Sequence, residues 1–423
     1  MRDRLADTVA FWRAWMARCW YDGEWPGAVR RSALVLKALT YAPSGAVVAA
    51  PTTSLPEEIG GERNWDYRFT WIRDATLTLI SLFILGFTDE ADAFKRWLES
   101  AGAGRPEDLQ IMYGIGGERL LPEFELDHLA GHHGSRPVRV GNAAVKQLQL
   151  DSYGQILEAA YLYTKAGRPL TETNWRFVAG LADIVCERWR HPDQGIWEIR
   201  DEPRHFVHSK LHCWLALDRA VRIARAQGLP GSVERWEAER DAVRAYLLEE
   251  GAAANGGWFP QAVGVAAADA STLLLPAYGF VATTDPAALR TIEHVRGALE
   301  HDGLVHRYLA SDGVQSGEGA FLLCSFWLLD CLTHAGRLKE AEALLHRILG
   351  LANDVGLFAE EVEPSTEEPL GNFPQAFSHM ALVLSCANLS AAKRSGVPEG
   401  PVDYAELALD RLLAGMGGTR VTP

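Results

Sequence analysis

The stretch GEGAFLLCSFWLLDCLTHA at 317–335, followed by LKEAEALLHRILG at 338–350, decides the fold of this chain. The first segment is apolar on nearly all sides. The second keeps Leu345 and Ile348 on one stripe, opposite Lys339. A helix that is apolar all round is buried in a protein interior, whereas a helix with one apolar stripe faces water on its other side. The two segments therefore predict a couple of helices, one buried and one covering it.

Couples of this kind recur along the chain. They fall at 72–86 with 89–102, at 147–167 with 173–190, at 206–226 with 232–249, and more weakly at 268–277 with 286–299 and at 373–394 with 403–414. Two further helices are predicted before them, at 5–20 and 27–41. Repeated couples predict an all-α protein in which an inner set of helices is covered by an outer set.

Long turn-rich loops separate the couples, above all at 42–71, 104–146 and 251–266. A solenoid of helix pairs has a regular period of about 33–47 residues with few insertions, so an open array does not fit. Loops longer than about 15 residues in a compact domain usually carry function. We expect two concentric rings of helices with a mouth built by these loops. No Gly/Ser linker divides the chain, so 1–423 is predicted to be a single domain.

The composition limits the possible partners and the location. Forty-one basic residues against 55 acidic ones give a net charge of −14, which repels nucleic acid and anionic lipid. The six cysteines form no CxxC pair, so free core thiols are expected. The start of the chain lacks the apolar region of a secretory signal, and no apolar run is long enough to span a bilayer. These features predict a cytoplasmic protein that binds neither nucleic acid nor membrane.

Three loop segments hold acids beside aromatic residues. They are NWDYRFTWIRDA at 64–75, GIWEIRDEPRHF at 195–206 and FAEEVEP at 358–364. Indole rings suit the apolar face of a sugar, while Arg and Asp bind its hydroxyls. The chain contains 14 tryptophans, several of them in these loops. Composition alone also allows these tryptophans to be core residues and these acids to be solvated.

The same segments carry a family resemblance. The stretches RNWDYRFTWIRDA, DQGIWEIRDEPRHFVHSKLHCWLALDRA, DASTLLLP, GEGAFLLCSFWLLDCL and LFAEEVEP with LGNFPQAFSHMAL resemble the catalytic domain of glycoside hydrolase family 15. This family includes glucoamylases, glucodextranases and bacterial trehalases. The resemblance runs in order from about residue 5 to 395. It implies an (α/α)6 barrel and the cofactor-independent, single-displacement hydrolysis of a terminal α-glucosyl unit with inversion.

The resemblance implies two catalytic glutamates. Trp197 and Glu198 are similar to the family's Trp-Glu pair, in which the glutamate protonates the glycosidic oxygen. Glu360 matches the glutamate that activates water, and Glu361 is its neighbour. On this basis Glu198 is the predicted general acid and Glu360 the predicted general base. Glu198 could instead be a surface acid after a turn, and Glu361 could be the base.

The remaining predicted site residues are substrate ligands, and they too come from the resemblance. They are Tyr67, Trp71, Arg73 and Asp74 in the glucose-binding segment, Trp197 beside the acid, Arg307 with Tyr308 in an Arg-Tyr pair, and Glu318 and Glu361 as further acids. Two of these features have a purely structural alternative. Arg73 and Asp74 could form a capped helix end, and Glu318 could be a partner of a helix dipole.

Inversion requires one protonated and one ionised carboxyl group, about 6.5 to 9.5 Å apart so that water fits between them. Packing against Trp197 and other apolar groups is expected to raise the pKa of Glu198, whereas polar loop neighbours would keep Glu360 charged. No metal is predicted, because the cluster of His128, His132 and His133 lacks a carboxylate or a helical i, i+4 arrangement.

The sequence also indicates how the chain departs from its relatives. No alternating strand pattern precedes residue 5, so the N-terminal β-sandwich domain of bacterial members is expected to be absent, as is a starch-binding module. This favours a short α-glucoside such as isomaltose, an isomalto-oligosaccharide or a malto-oligosaccharide, with α,α-trehalose as the alternative. A phosphorylase, a uronate lyase and a noncatalytic glucan-binding barrel are the other candidates. The oligomeric state is not predicted.

Overall fold

The computed structural model describes residues 2–101, 105–314 and 317–415. Helices dominate these ranges. They are α1 (Arg2–Met16), α2 (Pro26–Ala38), α3 (Ile72–Ile84), α4 (Thr88–Ala101), α5 (Asp151–Lys165), α6 (Glu172–Arg188), α7 (Val207–Gln227), α8 (Val233–Tyr246), α9 (Leu274–Ala277), α10 (Pro286–Leu299), α11 (Leu322–His334), α12 (Leu338–Leu349), α13 (Ala376–Ser395) and α14 (Tyr404–Gly415).

Six of these helices form a closed inner ring. Helix α3 contacts α5, α5 contacts α7, α7 contacts α9, α9 contacts α11, α11 contacts α13, and α13 returns to α3. Their sequences explain the placement, because every residue of α3 except Leu77 and every residue of α11 except Asp330 is buried. A helix with apolar residues on all sides is stable only when other elements surround it.

An outer ring covers the inner one, and its helices are amphipathic. Helix α12 illustrates this, since only Ala341, Leu345 and Ile348 are buried while its other side faces water. The outer helices are α2, α4, α6, α8, α10 and α12, each in contact with an inner helix or the turn that precedes it. The predicted (α/α)6 barrel is therefore confirmed.

One predicted pairing differs from the structure. The sequence pattern couples α13 with α14 and leaves α2 outside the repeat, but α2 packs against both α13 and α3 and so closes the outer ring. Helix α14 contacts α13 and α3 as well. Its residues Tyr404 and Ala405 line a cavity together with Gln155 and Asn388 of the inner helices. Helix α14 thus reaches into one end of the inner ring instead of lying only on the outside.

The connections are strongly asymmetric. Most inner helices are followed by short returns, at 85–87, 166–171, 228–232 and 335–337. The long connections all precede inner helices. They therefore collect at the N-terminal ends of the inner ring, where helix dipoles present their positive ends.

Small antiparallel strands tie these long loops together. They are β1 (Thr70–Trp71) with β2 (Met112–Tyr113), β3 (Phe124–Glu125) with β4 (Arg139–Val140), β5 (Glu300–His301) with β6 (Leu304–Val305), and β7 (Ala320–Phe321) with β8 (Glu361–Val362) and β9 (Pro369–Leu370). Strand β8 is central in its sheet, and Glu361 lies opposite Phe321 and Leu370. Because β7 takes up 320–321, the helix predicted from 317 begins only at Leu322, and Glu318 precedes it.

Two further expectations can be compared with the structure. All six cysteines are free, and five of them are buried, as expected for core thiols. Across the described ranges, no helix combines the length and the apolar character needed to cross a membrane.

Candidate active site

The long loops and the N-terminal ends of the inner helices enclose one cavity that contains both predicted catalytic glutamates. Its lining includes Tyr67, Trp71, Arg73, Asp74, Trp197, Glu198, Arg307 and Glu360. These eight residues come from four separate parts of the sequence. Tertiary folding therefore brings together most of the predicted site, and the prediction that both glutamates share a pocket agrees with the geometry.

The order of the ring explains how the two glutamates can face each other. Glu198 lies in the loop before α7, and Glu360 lies immediately before β8 in the loop that leads to α13. In the ring order α3, α5, α7, α9, α11, α13, helices α7 and α13 are three places apart among six. The loops before them consequently approach the cavity from opposite sides of the barrel.

Glu198 is held at the cavity by a strained backbone and two neighbours. Its φ angle is 57°, in the left-handed region that non-glycine residues rarely adopt. The indole N–H of Trp71 donates a hydrogen bond of 2.6 Å to Glu198 Oε1. A guanidinium nitrogen of Arg73 lies 3.7 Å from the same oxygen, and the Glu198 side chain is 20% exposed. One carboxyl oxygen is therefore fixed, and the group remains accessible from the cavity.

Glu360 is positioned by a backbone hydrogen bond and by a glycine. Leu322 N–H donates to the Glu360 carbonyl oxygen at 3.1 Å, which ties this residue to the start of α11. Gly371, with φ 74°, approaches so closely that an added Cβ would lie 2.6 Å from Glu360 Oε2. Glu360 lines the cavity, whereas Glu361, the first residue of β8, does not.

Burial dominates the electrostatics of Glu360. The residue is 2% exposed. Desolvation raises its pKa well above the ordinary value, and the negative charge of Glu57 acts in the same direction, while Arg307 and a hydrogen bond from Tyr67 oppose both. The expectation that polar neighbours keep Glu360 readily ionised is therefore wrong for the free site, because burial outweighs those neighbours.

Arg307 forms an ion cluster behind the cavity wall. One of its guanidinium nitrogens lies 2.9 Å from Glu57 Oε2 and 3.6 Å from Glu361 Oε1, and it also pairs with Glu318. Glu318 and Glu361 are absent from the cavity lining, so they support Arg307 in this structure. Their predicted role as direct sugar ligands stays a prediction.

Glu57 is buried in the Arg307 cluster, and its place in the site was not predicted from the sequence. The sequence does offer a clue to Glu57, because this residue lies in the same loop as the predicted site residue Tyr67, within PEEIGGERNWDY at 56–67. Oxygens of Glu57, Glu318 and Glu361 lie within 4.8 Å of one another, a spacing that could hold a cation. Since the guanidinium of Arg307 pairs with all three, it already supplies positive charge to this cluster. The expectation of a metal-independent site stays a prediction.

Arg73 and Asp74 occupy the first turn of α3, next to Glu198. Arg73 donates to the Ile196 carbonyl at 2.8 Å, which joins α3 to the loop that carries the acid. Burial raises the pKa of Asp74 to about 7, although the positive charge of Arg73 opposes this shift. The Asp74 Oδ2 atom lies 3.3 Å from Arg73 Nε in an ion pair, but it accepts no well-aligned hydrogen bond among the described residues. A buried acceptor of this kind is suited to a ligand hydroxyl.

Trp197 forms an apolar wall of the cavity. Its indole N–H donates to both carboxylate oxygens of Asp269 at 3.0 Å, which fixes the ring. Phe321 packs against it edge-to-face, with ring centroids 5.7 Å apart. Tyr308 lies behind Trp197, where its hydroxyl donates to Asp312 Oδ2 at 2.6 Å. Tyr308 is not among the residues that line the cavity.

A closed double ring of helices with carboxylates around an aromatic cavity is typical of carbohydrate-active (α/α)6 barrels. Within that class, the chain belongs to glycosyl hydrolases family 15, whose family profile matches residues 26–387. The prediction of a glycoside hydrolase family is thereby confirmed.

Two enzymes are similar to this chain over three quarters or more of its length. The chain is 43% identical over 405 residues to a trehalase of Mycobacterium tuberculosis, covering 94% of this chain and 59% of that protein. It is 28% identical over 333 residues to an isomaltose glucohydrolase of Kribbella flavida, covering 75% of this chain and 78% of that protein. The chain thus spans about three fifths of the length of the mycobacterial trehalase.

A solved structure supports the fold independently. The structure of a bacterial glucoamylase complexed with acarbose superimposes with a TM-score of 0.66 at 17% identity. The match covers 91% of this chain and 57% of that one. At this identity the likeness concerns the double ring of helices.

Proposed function

We propose that this chain hydrolyses α,α-trehalose with inversion, with Glu198 as general acid and Glu360 as general base. The observation that carries the proposal is the shared cavity, in which Glu198 and Glu360 approach from opposite sides of the ring. The trehalase relative, at 43% identity over 94% of the chain, favours trehalose over the isomaltose or malto-oligosaccharide expected from the sequence.

The geometry around Glu198 suits proton donation. Trp71 occupies Oε1 with its N–H, so Oε2 is left to carry the proton toward the oxygen that joins the two glucose units. As the proton reaches that oxygen, its bond to C1 of the first glucose breaks. A positioned acid of this kind contributes a factor of about 10²–10⁴ to the rate.

Glu360 is suited to activate water on the other face of the same glucose. The carboxylate takes one proton from water while the water oxygen forms the new bond to C1. Attack opposite to the leaving oxygen converts the α configuration to β. The second glucose keeps its own C1–O bond and leaves as the α anomer. One molecule of trehalose therefore gives one α- and one β-glucose.

The other lining residues would hold the first glucose. Asp74 and Arg73 offer a carboxylate acceptor and guanidinium donors for hydroxyls, and Trp197 offers a flat apolar surface. Because Arg73 also touches the acid and the Ile196 carbonyl, sugar binding and acid placement are coupled through one side chain.

The reaction is tested by NMR on fresh trehalose in water enriched in ¹⁸O. Equal initial amounts of α- and β-glucose are expected, with the label in the β anomer alone, because only that sugar receives oxygen from water. Release of α-glucose alone would show retention and overturn the mechanism. Isomaltose and maltose are the comparison substrates, and faster hydrolysis of either one would overturn the trehalase proposal.

Three glutamine variants test the residue roles. Glu198→Gln and Glu360→Gln should each remove nearly all trehalose hydrolysis, because one loses the proton donor and the other loses the base. Glu361→Gln is the matched control. Glu361 is adjacent to Glu360 in sequence, but it lies behind the cavity wall, where it pairs with Arg307. A larger loss in Glu361→Gln than in Glu360→Gln would reassign the base.

A further inference from the structure

Arg200 lies at the outer part of the catalytic cavity, two residues beyond Glu198. The inner part of the same cavity is closed, with Asp74 and Glu360 each 2% exposed. The Arg200 side chain is 35% exposed. This gradient of burial places Arg200 on the solvent side of the acid. A sugar that leaves from the oxygen protonated by Glu198 has to pass on that side.

The position of Arg200 is fixed by contacts from several loops. Its guanidinium lies 4.4 Å from the ring centroid of Trp65, another residue that lines the cavity. It donates to Glu123 Oε2 at 3.1 Å, and its backbone N–H donates to the Asp312 carbonyl at 2.9 Å. A side chain held in this way loses little additional conformational freedom when it binds a ligand.

A second arginine completes the arrangement. The Arg139 guanidinium also lies over the Trp65 ring, 4.6 Å from its centroid. Its Nε lies 3.7 Å from Glu123 Oε1, so Glu123 bridges the two arginines. The positive charge of the pair is thereby partly offset. Hydroxyl-rich neutral ligands fit such donors, because guanidinium N–H groups bind hydroxyl oxygens.

We infer that Arg200, placed by Trp65 and Glu123, binds the leaving glucose and determines the preference for a disaccharide substrate. This inference rests on the proposed hydrolysis of trehalose. Arg200 supplies hydrogen bonds to the second glucose, whereas Glu123 and Trp65 act through it as positioning residues. Cleavage of a substrate without a second sugar does not use these contacts.

The experiment compares trehalose with α-glucosyl fluoride, whose leaving group is fluoride. In Arg200→Ala, kcat/KM for trehalose should fall by about 10- to 100-fold, as expected for loss of hydrogen bonds from a charged donor. The value for α-glucosyl fluoride should change by less than about 3-fold, because the first glucose, Glu198 and Glu360 are untouched. Equal losses on both substrates, or no loss on trehalose, would overturn the inference.

Two more variants separate positioning from folding. Glu123→Gln should give a smaller, trehalose-selective loss, because Arg200 stays but loses its charged partner. Arg204→Ala is the control from the same loop, since Arg204 pairs with the partly exposed Asp201 and does not line the cavity. It should leave both substrates unchanged. Circular dichroism and thermal unfolding of each variant identify any general loss of structure, which would lower both activities together.

The same measurements separate a failure of the role inferred for Arg200 from a failure of the proposed trehalase function. If the wild-type chain hydrolyses α-glucosyl fluoride but cleaves another disaccharide in preference to trehalose, the trehalase proposal fails. The same comparison then uses that disaccharide, and Arg200→Ala must still lose activity selectively on it. If it does not, the role of Arg200 is wrong regardless of the identity of the sugar.

Discussion

Trp71 donates its indole N–H to Glu198 Oε1 at 2.6 Å, so the residue immediately before the first inner helix orients the acid that precedes the third. A phenylalanine at this position keeps an aromatic ring but removes the donor. In Trp71→Phe we expect kcat for trehalose to fall by about 10- to 100-fold, because hydrogen bonds to charged groups contribute about 1.5–3 kcal/mol.

The control for this variant is Trp189→Phe. Trp189 donates to Glu239 Oε2 at 2.7 Å, outside the catalytic cavity, so it loses the same kind of bond without contact to Glu198. Steady-state kinetics on both variants should show a reduced kcat in Trp71→Phe only. Equal kcat values would show that the indole bond does not orient the acid.

The raised pKa of Glu360 predicts an acid limit to activity. A general base works only when ionised, and burial with the charge of Glu57 raises the pKa at which Glu360 becomes ionised. Turnover should therefore fall as the pH drops through a value above the ordinary 4.5 of a glutamate. The pH profile of kcat/KM for trehalose reports this ionisation in the free enzyme. A profile that stays flat down to the ordinary value would contradict the prediction.

Glu57→Gln should move that acid limit to lower pH. The substitution removes a negative charge that raises the pKa of Glu360, so the base ionises more readily. The pH profile of kcat/KM for trehalose in Glu57→Gln measures this shift. An acid limb that does not move would contradict the assignment of this limb to Glu360.

Gly371→Ala tests the close approach to Glu360. The added Cβ would lie 2.6 Å from Glu360 Oε2, so the carboxylate has to move. We expect a large fall in kcat. Gly336→Ala is the matched control. Its φ of 76° imposes similar backbone strain of about 1–2 kcal/mol, but nothing lies within 4 Å of the new Cβ. Thermal unfolding should show that both variants are destabilised, Gly371→Ala more strongly because of its contact with Glu360, and activity measured below both unfolding temperatures should be lost only in Gly371→Ala.

Arg219→Met tests a buried ion network of the inner ring. Arg219 pairs with Glu158, Asp218 and Asp403, and its side chain is 1% exposed. Removing it leaves buried carboxylates without their counter-charge, which should lower the free energy of unfolding by about 3–5 kcal/mol. Arg337→Met is the control, since its partners Glu340 and Glu293 are exposed and such pairs contribute about 0–1 kcal/mol. Urea unfolding of both variants measures the difference.

The helices of this protein could be predicted from sequence because each one is determined by the local pattern of apolar residues. Apolar periodicity alone separates α11 from α12, since one is buried on all sides and the other on a single stripe. The placement of Glu198 and Glu360 in one cavity followed from the family resemblance, which encodes tertiary proximity that spacing cannot. The closure of the outer ring by α2 was missed because its contact with α13 joins the two ends of the repeat.

The supporting contacts of the site were not predictable for a related reason. Arg307 and Glu57 are 250 positions apart, and Arg200 and Glu123 are 77 apart. Neither partner has a local pattern that distinguishes it from other charged loop residues. The raised pKa of Glu360 was not predicted either, because it depends on how completely the folded loops exclude water from this residue.

The left-handed backbone at Glu198 has a consequence for selection experiments. A side chain at φ 57° costs folding free energy that glycine would not, roughly 1–2 kcal/mol. Glu198→Gly would relieve this cost, but it would also leave the buried indole N–H of Trp71 without its acceptor, a loss of about 1–3 kcal/mol. The variant should therefore be inactive without gaining heat resistance, and any thermostable descendant of this chain must have gained its robustness elsewhere.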